Sequence, residues 1–175
     1  MTALNVLLEN LDLYGSAFLA TIQLFLVAAI GSLVVGTLLA AMRVSPVPVL
    51  RSFGALYVST FRNTPLTLVL FFFAFAYPRL ALVDLSFFAR ASAGLILYTA
   101  AFVCEVVRSG VNTVPTGQAE AARALGFTFS QTLSQIVLPQ AVRSVVPPLT
   151  SVEIALLKNT TVAAGFSVFQ AGSIY

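Results

Sequence analysis

The stretch from Ala17 to Met42, AFLATIQLFLVAAIGSLVVGTLLAAM, carries no charged residue. An α-helix rises about 1.5 Å per residue, so about 20 apolar residues are enough to cross the hydrocarbon core of a bilayer. The stretch is too long for the apolar core of a signal peptide, and Glu9 and Asp12 precede it where a signal peptide would be basic. It therefore predicts a retained membrane-spanning helix.

The composition of the whole chain agrees with membrane residence. Of the 175 residues, 59% are hydrophobic and 9% are charged, whereas a soluble domain carries about a quarter charged residues. The formal net charge of +3 comes from arginines scattered between apolar segments, which suits membrane topology and excludes a nucleic-acid surface. The chain is too poor in polar surface for a soluble fold.

Several kinds of chemical site are excluded by residue counts. The sequence has one cysteine, Cys104, and no histidine, so a disulfide framework or a thiolate metal cluster is excluded. Its only lysine, Lys158, follows Leu157 and not glycine, so a phosphate loop of the Gly-Lys-Ser/Thr kind is absent. We expect no catalytic residue, no metal and no cofactor, and no ATP hydrolysis by this chain.

The arginines predict the orientation of an all-α, polytopic bundle of about four membrane spans. The spans are expected at Ala17 to Met42, at Phe53 to Tyr77, at Ala91 to Val107, and from near Val145 onwards, with Pro147 and Pro148 in the first turns of the last one. Cytoplasmic loops are rich in Lys and Arg. This rule places the N-terminus outside, with more arginines inside than outside: Arg43, Arg51, Arg108, Arg123 and Arg143 against Arg79 and Arg90.

Residues 109–143 form a polar excursion that the orientation places in the cytoplasm. We expect Gly117 to break the chain, a helix of small residues from Gln118 to Leu125, and a left-handed stop at Gly126. Thr128 and Gln131 have the spacing of a capping box that starts another helix. Such a rigid corner suits docking of a soluble protein, although an amphipathic helix lying on the membrane surface is the alternative. The predicted docking residues are Gly117, Gln118, Glu120, Ala121, Ala122, Arg123 and Gly126.

The excursion resembles the cytoplasmic motif of ATP-binding-cassette importer permeases. The resemblance rests on the ungapped spacing of Glu120, Ala121, Ala122, Gly126, Ile136, Leu138 and Pro139. Three further segments look like the polar amino-acid branch of that family: residues 62–66, residues 98–110 and residues 157–161. Within the branch, Met42 to Pro46 and Arg62 to Val69 are most similar to actinobacterial glutamate-uptake permeases. The resemblance covers roughly Ala17 to Val168.

The resemblance implies a type I importer permease, with one transmembrane domain over residues 1–175 and a coupling segment over residues 109–143. It implies that the chain forms half of a pathway with a second permease subunit. A cytoplasmic ATPase dimer would drive the pathway, and an extracytoplasmic substrate-binding protein would deliver an amino acid, with glutamate favoured. The family has a further C-terminal membrane helix, so we expect this chain to be truncated.

Polar residues within the predicted fourth span are candidates for contact with the substrate. A charge near the centre of a bilayer costs at least about 2.5–3.5 kcal/mol and is seldom kept without use. Glu153 and Lys158 lie about 140° apart on a helix, so each needs a separate partner, which the ammonium and carboxylate of an amino acid supply. The alternative pairs Glu153 with Arg143 or another subunit and places the ammonium of Lys158 at the outer interface.

Four more residues complete the predicted substrate pathway: Arg62, Glu105, Asn159 and Thr160. For Arg62, the alternative is that its guanidinium satisfies a backbone carbonyl freed by Pro65. For Glu105, the alternative to a place in the gate is a local ion pair with Arg108, three residues later.

Two other classes of protein compete with the importer permease. An ion-coupled secondary carrier would also need intramembrane Glu and Lys, but the sequence shows no inverted repeat. A membrane scaffold that transports nothing would not require Glu153 and Lys158. The identity of the amino acid is left open, because a neutral amide or a basic amino acid also fits.

Overall fold

The computed structural model describes residues 11–80 and 83–171, with the side chains of Leu13 and of residues 167–171 excepted. All regular structure in these ranges is helical, as predicted, and the predicted external N-terminus lies outside them. The elements, in chain order, are α1 (Leu11–Val44), α2 (Pro48–Asn63), α3 (Leu66–Phe71), a π-helical turn (Phe72–Ala76), α4 (Tyr77–Arg79), α5 (Phe87–Asn112), α6 (Thr116–Ala124), α7 (Phe129–Gln131), a second π-helical turn (Thr132–Val137) and α8 (Leu138–Ala171).

Two helices are long and apolar enough to cross a membrane by themselves. They are Tyr14–Val44 within α1 and Phe87–Asn112, which is α5. These helices correspond to the first and third predicted spans and confirm them. A third span exists if the bent pair Pro48–Asn63 and Leu66–Arg79 is counted as one.

Helices α1 and α5 approach each other closely because α1 carries small residues along one face. Ala28, Ser32, Gly36 and Ala40 are spaced by four residues, and all are buried. A Cβ atom on Gly36 would lie 2.6 Å from the Cβ of Val103 and 2.9 Å from the carbonyl oxygen of Ala100. Small residues at this spacing let two membrane helices pack backbone to backbone.

The predicted second span is not one straight helix. Its two halves, Pro48–Asn63 and Leu66–Arg79, meet at 98°. The break follows from Pro65, which disfavours the helical conformation of the residue before it; Thr64 is extended, with φ −99° and ψ 129°. The segment Leu66–Arg79 is about 21 Å long at about 1.5 Å per residue, and α2 lies nearly perpendicular to it.

The fourth predicted span corresponds to α8, a helix of 34 residues. It starts at Leu138 and not near Val145, so Pro147 and Pro148 lie inside the helix and not in its first turns. Each proline removes one backbone donor, but packing of α8 on α5 keeps the helix continuous. By length and composition, α8 is not among the helices apolar enough to qualify as a span alone.

The core lies where α1, α5 and α8 meet. Leu95 of α5 and Leu156 of α8 are fully buried there, together with Ala28 of α1. A second apolar cluster joins α1, α2 and α5 around Leu39, Val58 and Cys104. Cys104 is therefore a buried core residue, and these clusters hold the polar groups described below at defined positions.

Candidate functional site

The helix α6 ends in a Schellman motif. The amide of Phe127 donates to the carbonyl of Ala122 at 3.1 Å, and the amide of Gly126 donates to that of Arg123 at 2.9 Å. This pattern requires a left-handed residue after the helix, and Gly126 has a φ of 85°. The predicted stop at Gly126 is confirmed.

The next helix starts from the predicted capping box. The backbone amide of Gln131 donates to the hydroxyl of Thr128 at 3.3 Å, and the backbone amide of Thr128 donates to the side-chain oxygen of Gln131 at 2.9 Å. Because both helix termini are satisfied locally, the turn between α6 and α7 has a defined geometry. We call residues 116–131 the corner.

The break before α6 lies earlier than the sequence predicts. The chain leaves α5 after Asn112 and re-enters a helix at Thr116, with Pro115 extended at ψ 137° as the N-cap. Gly117 sits within the first turn of α6 and does not break the chain. The physical reason is that Pro115, with its fixed φ, suits the position directly before a helix better than its interior.

The corner exposes two large apolar side chains that the sequence pattern did not single out. Leu125 is 79% exposed and Phe129 is 77% exposed. Gln118, Glu120, Ala121 and Arg123 are also exposed, whereas Ala122 is buried. The corner therefore presents apolar contacts flanked by one acid and one base, which is the composition of a protein-docking surface. The sequence did contain a sign of this surface, because the apolar residues Leu125 and Phe129 flank the turn.

The corner is connected to the membrane helices near the end of α5. The hydroxyl of Thr113 lies 2.7 Å from the carbonyl oxygen of Gly110 and 3.0 Å from the hydroxyl of Ser144 on α8. The Ser144 hydroxyl in turn donates to the carbonyl of Ala141 at 2.8 Å. A Cβ atom on Gly110 would lie 2.2 Å from Cγ2 of Val145. The helix before the corner, α5, therefore packs closely against the helix after it, α8.

A cluster of ion pairs forms around Glu105. Its Oε2 accepts from Arg108 at 2.9 Å, which is the local pair predicted from the sequence. Its Oε1 pairs with Arg43 of α1 and lies 3.7 Å from Nη1 of Arg62 on α2. The Arg62 guanidinium also lies 5.8 Å from the ring centroid of Phe102. One carboxylate therefore joins three helices, and Arg62 is placed against it and an aromatic ring.

A cavity of about 290 Å³ lies between α5 and α8. Its wall is formed by aromatic and small side chains together with a few polar ones: Tyr98, Thr99, Phe102, Ser151, Ala155 and Asn159. The hydroxyl of Thr99 is buried and has no hydrogen-bond partner in the described part of the chain. A mostly apolar cavity with a few polar groups is the usual form of a small-molecule site.

The structure places the predicted substrate residues of α8 in different environments. Asn159 lines the cavity, and the hydroxyl of Thr160, which is buried, donates to the carbonyl of Leu157 at 2.7 Å. Lys158 is exposed. Both carboxylate oxygens of Glu153 are inaccessible and find no hydrogen-bond partner among the described residues. Glu153 and Lys158 lie on one continuous helix, so their predicted separation around that helix holds.

A helical membrane bundle with an exposed corner and a cavity between its helices is compatible with a transport permease. Residues 32–167 match the family described as the binding-protein-dependent transport system inner membrane component. The chain belongs to this family. It is a transport subunit of an importer in the membrane, and it works with an ATPase, a second permease and a binding protein; it is not itself an enzyme.

Several curated proteins and a solved structure are similar to this chain. The glutamate transport system permease protein GluC of Corynebacterium efficiens is 52% identical over 89% of this chain and 73% of its own length. The probable glutamine ABC transporter permease protein GlnM of Bacillus subtilis is 39% identical over 90% of this chain and 73% of its own. The crystal structure of an amino acid ABC transporter with histidines matches with a TM-score of 0.84 and 25% identity, over 97% of this chain and 78% of its own. These similarities give no support to an ion-coupled carrier.

Proposed function

We propose that this chain is half of the membrane pathway of an ATP-driven importer for a polar amino acid, with glutamate preferred. The preference is supported by GluC, which is named for glutamate transport and is 52% identical to this chain. The observation that carries the coupling mechanism is the corner, whose exposed Leu125 and Phe129 are held by local hydrogen bonds. Because the corner is stiff, it can transmit a movement of the cytoplasmic ATPase to α5 and α8.

In this proposal the ATPase dimer docks on the corner in the cytoplasm, and the N-terminus is outside. Leu125 and Phe129 fill an apolar recess of the ATPase, and Glu120 and Arg123 orient the contact. Apolar side chains near the centre of an interface usually contribute most of its free energy, while charges at the rim contribute little to affinity. Movement of the corner then reaches α5 and α8 through the contacts around Gly110 and Ser144.

The amino acid passes through the cavity between α5 and α8. The amide of Asn159 and the hydroxyls of Thr99, Ser151 and Tyr98 are polar groups of the wall that can bind it. Phe102 lines the cavity and lies between it and Arg62, whose guanidinium is positioned over the Phe102 ring. Glu153 and Lys158 act when the pathway changes shape, with the carboxylate of Glu153 binding the ammonium and Lys158 binding a carboxylate. The second permease subunit supplies the other wall, and an extracytoplasmic binding protein delivers the amino acid.

The docking role is tested by Leu125→Asp in the complete transporter. A charge placed in an apolar contact is costly to desolvate, so we expect the ATPase to copurify poorly and ATP-driven uptake to fall to background. Val47→Asp is the matched control, because Val47 is also exposed and lies in the other predicted cytoplasmic loop. Wild-type amounts of a fully coupled ATPase with Leu125→Asp would remove the corner from the docking surface.

The substrate is tested by uptake of labelled glutamate into proteoliposomes that contain the complete transporter. We expect unlabelled glutamate to compete better than glutamine or arginine. Lys158→Met should lower coupled uptake and leave assembly and basal ATP hydrolysis intact, and Lys158→Arg should restore part of it because a forked guanidinium differs from a compact ammonium. Equal competition by all three amino acids contradicts the preference, and unchanged uptake by Lys158→Met removes this lysine from the pathway.

A further inference from the structure

A second cavity, of about 370 Å³, opens beside α2 and has a cationic lining. We call it the cationic pocket; its walls include Arg43, Val58, Ser59, Arg62, Asn63 and Glu105. Arg108 also pairs with Glu105, so three guanidinium groups surround one carboxylate and leave a formal charge of +2. A partly enclosed site with an excess of positive charge attracts an anion.

Arg62 has unused donors toward this pocket. A guanidinium carries five N–H donors, but the distance of 3.7 Å between its Nη1 and Glu105 is too long for a hydrogen bond. The Arg62 side chain is 48% exposed, whereas that of Arg43 is 16% exposed and bound to the same carboxylate oxygen. The fork of Arg62, with the exposed Ser59 hydroxyl one turn away, matches the geometry of a phosphate group.

The cationic pocket lies near the ends of α1 and α5 that the arginine pattern predicts to be cytoplasmic. Arg43 is in the last turn of α1, and Glu105 is about 10 Å along the axis from the end of α5. The segment Leu66–Arg79 packs beside the first half of α5, with the guanidinium of Arg90 donating to the carbonyl of Ala74 at 3.4 Å. Because α2 meets that segment at 98°, α2 lies close to the membrane plane when the segment runs along α5 in the bilayer.

The surface next to the cationic pocket is apolar. Val49, Phe53 and Leu56 form an exposed row on α2 at the spacing of one helical face. Arg51 and Arg62 lie on a different face of the same helix. An amphipathic helix in the interface, with cations on one side and bulky apolar residues on the other, is the arrangement that binds an anionic lipid surface. A free anion would leave the apolar row uncovered, whereas the acyl chains of a lipid can contact it.

We propose that the cationic pocket holds the phosphate of an anionic phospholipid, with the acyl chains contacting Val49, Phe53 and Leu56. The lipid phosphate supplies the negative charge that Glu105 alone does not provide for Arg62. Basic pockets between membrane helices at the cytoplasmic side are known to bind such headgroups.

The test uses the complete transporter in detergent, incubated with mixed micelles of phosphatidylglycerol and phosphatidylcholine, and measures retained lipid by native mass spectrometry. We expect wild-type protein to retain phosphatidylglycerol preferentially. Arg62→Gln should weaken retention about fivefold, the effect of about 1 kcal/mol for one cation near a membrane surface. Arg79→Gln is the matched control, because Arg79 is an exposed arginine at the far end of the same bent segment. Arg62→Lys, which keeps the charge, should retain more lipid than Arg62→Gln.

Several outcomes overturn the proposal. If wild-type protein shows no preference for phosphatidylglycerol, the cationic pocket does not hold this lipid, whether or not Arg62→Gln folds. Equal losses with Arg62→Gln and Arg79→Gln would mean a diffuse charge effect. Displacement of the lipid by inorganic phosphate at millimolar concentration would identify a free-anion site. Absence of bound lipid from the assembled transporter would also contradict the proposal.

Discussion

At the scale of single residues, Glu105 has the most connections of any ion-pairing residue in the described ranges. It binds Arg43 and Arg108 and lies 3.7 Å from Arg62, so it links α1, α2 and α5 at one point. A carboxylate shared by several guanidinium groups offsets the cost of burying each of them. Local reasoning finds only the pair with Arg108, because the other two partners are distant in sequence.

We expect Glu105→Gln to destabilise the protein. The Arg43 side chain, which is 16% exposed, would lose its charged partner, at a cost of about 1.5–3 kcal/mol for a hydrogen bond to a charged group. Asp84→Asn is the control: Asp84 is exposed, and such surface changes usually stay within about 0.5 kcal/mol. The measurement is the midpoint of thermal unfolding of the purified permease in detergent. Equal midpoints for the two variants would contradict a structural role for the cluster.

At the scale of helices, the packing of α1 on α5 rests on small side chains. Gly31 and Gly36 both face α5 closely, but the neighbours of Gly36 include the backbone carbonyl oxygen of Ala100, whereas those of Gly31 are side-chain atoms of Ile96. Backbone atoms cannot rotate away as the end of a flexible side chain does. The corner depends on a different property of glycine, since Gly126 needs a positive φ that other residues rarely adopt.

We expect Gly36→Ala to separate the two helices and lower stability by about 1–3 kcal/mol, the usual range for overpacking. The added Cβ would lie 2.6 Å from the Cβ of Val103 and 2.9 Å from the Ala100 carbonyl oxygen. Gly15→Ala on the same helix is the matched control, because nothing lies within 4 Å of its Cβ position. Thermal unfolding in detergent compares the two variants. A stabilising Gly36→Ala would show that α1 and α5 shift freely, against the close packing described.

At the scale of the whole molecule, the functional elements lie along one path. The cavity between α5 and α8 is followed by the Glu105 cluster and then by the corner. Near the corner, the hydroxyls of Thr113 and Ser144 join the end of α5 to α8, the two helices that form the cavity wall. In the proposed mechanism, a displacement of the corner reaches the cavity through α5 and α8, which are in contact with each other.

The orientation of this path gives a prediction for intact cells. With the buried Cys104 replaced by Ala, single cysteines at Thr2 and Thr128 should differ in labelling by a membrane-impermeant maleimide. We expect labelling at position 2 and none at position 128 until the membrane is permeabilised, because arginine-rich loops stay inside. Labelling of position 128 alone in intact cells would reverse the topology and place the corner outside, away from any ATPase.

The sequence by itself determined membrane residence, the helical class, the two helices that qualify as spans on their own and the turn chemistry of the corner. Those features are encoded locally in the sequence. They rest on the apolar length of α1 and α5, the left-handed conformation of Gly126, and the capping box of Thr128 and Gln131. The tertiary structure decided the 98° bend, the exposure of Leu125 and Phe129, the three-way pairing of Glu105 and the cavity wall at Asn159. The physical reason is that composition and spacing specify local conformation, whereas the partners of a side chain on another helix depend on how the helices pack.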